Sequence, residues 1–207
     1  MSDWARYLMS LAPPPPPPAP VKRKVFICYS HRDQAEAEQF VWNWRNVFTH
    51  RALGMRFTDD IINSDNSAYV MSRIRANYIG DSSVTVVLVG NCTHSRRFVD
   101  WEIKASLQCG TGTPNGLVAC LLPSAHNGPG RLYPTVPTRL GANYRLDDFT
   151  TYARYWFMPD NEVTMRQYIE RAFESRTNQQ LVANISNPNE MMKNNGWCYA
   201  CGVNHGV

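Results

Sequence analysis

SVTVVLVGNCTHSRRFVDWEIKASL, residues 83–107, joins an unbroken apolar run to a short polar loop and then to a helical pattern. Val84, Val86, Val87, Leu88 and Val89 lack the polar alternation of a half-exposed strand. They predict a strand buried on both faces, as in a parallel sheet covered by helices. In such sheets ligands bind beyond the carboxyl ends of the strands. The helix that follows carries Glu102 among bulky apolar neighbours, and that carboxylate is the residue to explain.

Outward from this stretch, strand and helix patterns alternate in the manner of a doubly wound α/β fold. KVFICY at 24–29 reads as a first strand and 33–49 as a helix with Phe40, Val41, Trp44 and Phe48 on one side. A short strand around 55–58 and a helix over 68–78, Ile74 inward, precede the apolar strand at 84–89. A helix over 98–109, a strand at 116–122, a strand at 152–158 and a closing helix over 161–176 complete the pattern. The expected architecture is a doubly wound parallel five-stranded sheet with helices on both faces, in the order 2-1-3-4-5. Strands one and three then diverge at its centre, and their ends, Ser30-His31-Arg32-Asp33 and Gly90-Asn91, share one crevice. The segment 123–151, rich in Pro, Gly and Asn, is long for a connection and is expected to wrap the surface or edge the site.

With 207 residues and 43% hydrophobic content, the chain can bury one core and carry appendages. A domain over 24–176 is expected between two tails. The N-terminal segment 1–23 sets Trp4, Tyr7, Leu8 and Leu11 on one helical face, followed by a polyproline spacer at 13–18 with Pro20. Such a spacer extends at about 3.1 Å per residue. The Asn-rich tail 177–207 ends in Trp197, Cys198, Tyr199, Cys201 and His205. A CxxC with one downstream histidine supplies three ligands where a structural zinc site takes four, so a loose tail or a packed aromatic end is expected there, and no metal.

A formal charge of +4, with no Lys/Arg run longer than residues 22–24, argues against a nucleic-acid partner and suits a small anionic ligand. No apolar segment approaches the roughly 20 residues that span a bilayer, and the first residues lack the layout of a signal peptide. A cytoplasmic protein without a membrane partner is expected. Cys28, Cys92, Cys109 and Cys120 fall in or beside predicted core elements as small hydrophobes, and no disulfides are expected.

FICYSHRD at 26–33, TDD at 58–60, VVLVGNCT at 86–93 and FVDWEIKASL at 98–107 together resemble the TIR-like domains of bacterial anti-phage defence, above all the ThsB family of Thoeris systems. The resemblance covers 24–176, strongest at 24–33 and 83–107. It implies a flavodoxin-like fold that cleaves the nicotinamide–ribose bond of NAD as substrate, needs no other cofactor, and often makes a signalling nucleotide from the ADP-ribose for a separate effector protein. It further implies activation by a phage trigger and a tendency to self-assemble into homo-oligomers.

Glu102 matches the catalytic glutamate of TIR enzymes. Loss of nicotinamide passes through an oxocarbenium-like state, and a carboxylate gripping the ribose hydroxyls favours that state over the substrate. The plain alternative is a solvated helix residue paired with Arg96, Arg97 or Lys104. Phe98, one turn earlier, matches a stacking position, with core packing as its alternative. Tyr29, Ser30, His31 and Arg32 follow the first strand, where the family contacts phosphates and ribose, and the Arg32 fork suits phosphate oxygens. Alternatively Ser30 or Asp33 merely caps a helix. Asn91 is a candidate for ribose or amide, and Asp60 for the mouth of the site. A receiver domain would want an aspartate after strand three, where Gly90-Asn91 stands, and a flavodoxin would want a glycine-bearing phosphate loop where YSHRDQ stands. The competing class is a TIR-like interaction or self-assembly module without turnover.

Overall fold

The computed structural model describes residues 21–53, 66–107, 113–125, 134–144, 151–181 and 191–206. Four strands, β1 (Lys24–Cys28), β2 (Thr49–Leu53), β3 (Val84–Val89) and β4 (Gly116–Leu121), form a parallel sheet in the order β2-β1-β3-β4. Val25 pairs with Val84 and Val84 with Gly116, so β1, β3 and β4 start nearly level; β1 ends opposite Val87, two residues before β3 and β4 end at the paired Val89 and Leu121. A three-residue strand, β5 (Arg154–Trp156), runs parallel along the outer edge of β4.

Alternation along these strands feeds two cores. Phe26, Cys28, Val87, Val89, Leu117 and Ala119 face one side and Val25, Ile27, Val86, Leu88, Val118 and Cys120 the other. The second side is covered by α1 (Gln34–Asn43), through Ala37, Phe40 and Val41, and by the long C-terminal helix (Glu162–Ser175), through Met165, Ile169 and Ala172. The first is covered by α2 (Ser67–Ile74) and α3 (Arg97–Leu107). A short α4 (Thr138–Gly141) buries Leu140 against that core, and the C-terminal helix is α5. Helices thus lie on both faces of the sheet.

Local chemistry sets the boundaries. Asn66 caps α2 by accepting from the Tyr69 N–H at 3.1 Å, and Asn161 caps α5 by accepting from Thr164 at 2.9 Å. Gly116 is required by close approach, since a Cβ there would overlap the Ala172 carbonyl of α5. A buried polar cluster joins the strands to α3: Asn115 donates to Ser82 (2.9 Å) and Thr85 (3.2 Å), Thr85 meets Ser106 at 2.8 Å, and the Tyr152 hydroxyl donates to the Asn115 carbonyl at 2.6 Å.

The second strand corrects the sequence reading. It lies at Thr49–Leu53, whereas the helix expected over 33–49 ends at Asn43. THRAL has no apolar run because β2 sits at the sheet edge; its place is fixed by pairing with β1 and by the Thr49 N–H donating to the Arg23 carbonyl at 2.9 Å. Phe48 still packs on Phe40, with ring centroids 6.0 Å apart, so its apolar reading held while its helical one did not. The strand expected at 55–58, Asp60, Cys109, the N-terminal segment 1–20 and much of 123–151 lie outside the described residues. Residues 197–204 were expected as loose or packed chain and form a small antiparallel hairpin, β6 (Trp197–Cys198) with β7 (Val203–Asn204). Among the described residues no helix is long and apolar enough to cross a membrane.

Candidate active site

β1 and β3 run side by side and are followed by loops that leave in opposite directions, which opens a crevice at their carboxyl ends. A cavity of about 210 Å³ lies there, lined by Tyr29, Ser30, His31 and Arg32 after β1, by Arg96, Phe98 and Val99 around the start of α3, and by Asn195. The structure therefore brings five of the sequence-predicted residues together. Asn91 is not among those lining residues: its amide donates to the Ser124 carbonyl at 3.1 Å, across to the loop after β4.

The chain after β1 turns immediately. The Asp33 N–H donates to the Ser30 carbonyl at 2.7 Å, making a single 3-10 turn over His31–Asp33 that leads into α1. Neither Ser30 nor Asp33 caps the helix with its side chain. The Ser30 hydroxyl is instead buried in the crevice with no hydrogen-bond partner. Asp33 leans back toward β3, where Thr93 donates to it at 3.4 Å, and a Cβ on Gly90 would overlap its carboxylate. Burial and the neighbouring charge of Glu36 raise the Asp33 carboxyl to about 6, against the opposing pull of Thr93, Arg96 and Arg32.

Arg96, which the sequence reading treated only as a pairing partner for Glu102, is the residue it missed. Its Nε and Nη2 are buried and have no hydrogen-bond partner among the described residues. Buried donors without acceptors cost about 1–3 kcal/mol each, more when charged, which makes these two nitrogens candidates for binding an anion. The only signal in the sequence was its place in SRRF, between β3 and α3.

Glu102 is 1% exposed. Phe98, one turn earlier on the same face of α3, lines the cavity, while Glu102 does not line it and interacts with Cys28 at the end of β1. There the Cys28 thiol is pushed well above its ordinary value, first by burial and then by the charge of Glu102 and a hydrogen bond to it. The thiol therefore stays protonated. Phe98 packs edge-on against Trp101 at 5.6 Å and lies under the Arg97 guanidinium at 4.9 Å.

A second wall comes from far along the chain. Asn195 Oδ1 accepts from the Arg97 N–H at 3.1 Å, satisfying a free donor in the first turn of α3 from 98 residues away. Gly196 N–H donates to the Ser95 carbonyl (2.9 Å), Trp101 Nε1 to the Met192 carbonyl (2.9 Å), and Met192 N–H to Asp100 (3.0 Å). The tail thus packs along the loop and helix that carry the site. A larger cavity of about 550 Å³ lies between α1 and the segment after β5. It carries Glu36 and Asp160 against Arg45 alone, a poor match for a pyrophosphate.

Fold and site together define a parallel α/β domain with an anion-ready crevice at its switch point. Residues 26–127 match the family model of the Thoeris protein ThsB, TIR-like domain. Through this stretch the chain belongs to the ThsB TIR-like family of Thoeris defence. No curated protein matches it.

Proposed function

We propose that this protein binds NAD in the crevice between the ends of β1 and β3 and breaks its nicotinamide–ribose bond, giving an ADP-ribose-derived signalling nucleotide, cyclic or conjugated, that activates a separate effector. The observation that carries this reading is that Nε and Nη2 of Arg96 are buried with no hydrogen-bond partner among the described residues, in a cavity Arg96 shares with Ser30, His31, Arg32 and Phe98. Arg96 and Arg32 would hold the pyrophosphate, Ser30 and Tyr29 the ribose, and Phe98 would stack on a ring. At about 210 Å³ the cavity takes one part of the dinucleotide, and the rest would lie outward along His31 and Arg32. We also read Arg154–Trp156 as the fifth strand of a flavodoxin-like sheet.

In the reaction, the glycosidic electron pair leaves with nicotinamide, and Glu102 faces the charge that develops on the ribose. Capture by an adenosine hydroxyl or ring nitrogen cyclises the product, water hydrolyses it with release of a proton, and an outside nucleophile conjugates it. Exclusion of water decides among them. Because Glu102 is buried and is not among the residues lining the cavity, its carboxylate would reach the ribose only once the packing between them opens, which fits an enzyme held inactive until a phage signal arrives. The same burial favours a second reading, an interaction module without turnover.

The test is chromatography with mass detection of NAD and its products in cells carrying wild type or Glu102→Gln, with and without phage challenge. The enzyme reading expects a nicotinamide-free ADP-ribose species with wild type alone, both proteins being folded by circular dichroism. Undiminished NAD during a successful defence response would replace it with the interaction module.

A further inference from the structure

We propose that Cys92, Cys198, Cys201 and His205 form a tetrahedral zinc site that pins the C-terminal segment to the loop after β3, beside the crevice. The ligand atoms of these four side chains all lie within 4.8 Å of one another. Cys92 Sγ is 3.5 Å from Cys198 Sγ and 3.8 Å from Cys201 Sγ, and Cys201 Sγ is 3.2 Å from His205 Nε2. Zn–S bonds of about 2.3 Å at tetrahedral angles place sulfurs about 3.8 Å apart, with sulfur to imidazole nitrogen somewhat closer. These three spacings need shifts of a few tenths of an ångström, and the widest pairs, up to 4.8 Å, need to close by about 1 Å.

The tail alone supplies three ligands. The fourth, Cys92, arrives from the domain, 106 residues earlier than Cys198. Local structure prepares the other two thiols. β6 and β7 form a hairpin whose turn holds Cys198-Tyr199-Ala200-Cys201, closed by the Gly202 N–H donating to the Cys198 carbonyl at 2.9 Å. Gly202, at φ +63°, makes the reversal in a region that other residues rarely adopt. His205 is held by its own N–H donating to the Gly196 carbonyl at 3.1 Å, and Tyr199 stacks on His94 with centroids 5.8 Å apart. Cys92 and Cys198 are buried, while Cys201 is exposed and His205 half-exposed, which leaves the metal an approach from solvent.

Such a site has a consequence for the crevice. Asn195, which lines the cavity and caps α3, lies three residues before Cys198, and Arg96 lies four after Cys92. Three thiolates and a neutral imidazole around Zn²⁺ carry a net charge of −1, placed four residues along the chain from Arg96. The metal would fix the tail, through Asn195, as a wall of the site.

The full chain, purified under reducing conditions without a polyhistidine tag, is expected to carry about one zinc per molecule by inductively coupled plasma mass spectrometry. Cys198→Ser and Cys92→Ser are each expected to lower that occupancy at least tenfold. Cobalt(II) exchanged into the wild type is expected to show the d–d bands of a tetrahedral ion with thiolate-to-cobalt charge transfer, and His205→Cys to keep the metal and strengthen the charge transfer. These readouts do not depend on NAD turnover. Wild type that stays metal-free with zinc supplied, or alkylation mass mapping that finds a Cys92–Cys198 disulfide in the reduced preparation, would overturn the proposal. Full occupancy in folded Cys92→Ser would remove the staple to the domain.

Discussion

Replacing Arg139 by methionine isolates the energetics that hold the segment around α4 and the tail against α3. The guanidinium donates to both carboxylate oxygens of Asp100, Nε to Oδ1 at 2.8 Å and Nη2 to Oδ2 at 3.2 Å, with side-chain exposures of 6% and 14%. Methionine keeps most of the apolar stem and removes the charge. Breaking one partner of a buried pair costs about 3–5 kcal/mol, because the remaining ion stays desolvated. Asp100 retains the Met192 N–H at 3.0 Å, which argues for the lower end, about 3 kcal/mol. For a chain of this size that is a fall of roughly 6–12 °C in melting temperature, or about 1–2 M in urea midpoint. Asp100→Asn keeps an acceptor for Met192 and removes the stranded charge, so the double variant should cost about 2 kcal/mol less than the two single variants added together. Urea unfolding of all four proteins closes the cycle. A cost under about 1 kcal/mol for Arg139→Met, or a coupling near zero, would mean that water screens the pair and would refute this account.

Arg96→Met removes two buried donors awaiting an acceptor; if they hold the pyrophosphate, NAD affinity measured calorimetrically should fall about 10- to 100-fold, as for losing one or two charge-assisted hydrogen bonds. Unchanged affinity would dismiss Arg96 from the site. Asp33→Asn should stabilise the fold above pH 6 and hardly change it at pH 4. A carboxyl raised to about 6 holds its proton longer in the folded state than in the unfolded state near 3.9, so native stability falls as pH rises through that window. A wild-type-minus-variant difference flat with pH in denaturant melts would contradict the raised value. Gly116→Ala should destabilise by about 1–3 kcal/mol or more, because its Cβ meets the helix backbone at Ala172. Gly90→Ala should cost less, since the Asp33 carboxylate it meets can swing aside, and the ranking of the two melting temperatures checks both.

Much of the sheet was legible in the chain because its inner strands are apolar on both faces. VTVVLV at Val84–Val89 and GLVACL at Gly116–Leu121 carry almost no polar side chain, so their burial on both faces follows from composition. The strand at Thr49–Leu53 was not legible for the converse reason: THRAL at an edge carries little apolar signal, and only pairing with β1 makes it a strand. In the site, the run from Tyr29 to Arg32 and the position of Phe98 could be located because they follow directly from the end of a strand and the start of a helix. Arg96 could not, since an arginine's worth depends on whether its donors find acceptors, and that is a property of the packed molecule.

The sequence by itself determined the alternating strands and helices, the buried character of the central strands, and the crevice where their ends diverge, because hydrophobic periodicity is local and burial reads it directly. Tertiary structure alone decided what closes that crevice. It buried Glu102 against Cys28, carried Asn195 across 98 residues to cap α3, and set Cys92 beside Cys198, Cys201 and His205. Contacts between residues so distant in sequence leave no periodic trace in the chain; they exist only once the folded core has paid the entropy of bringing the segments together.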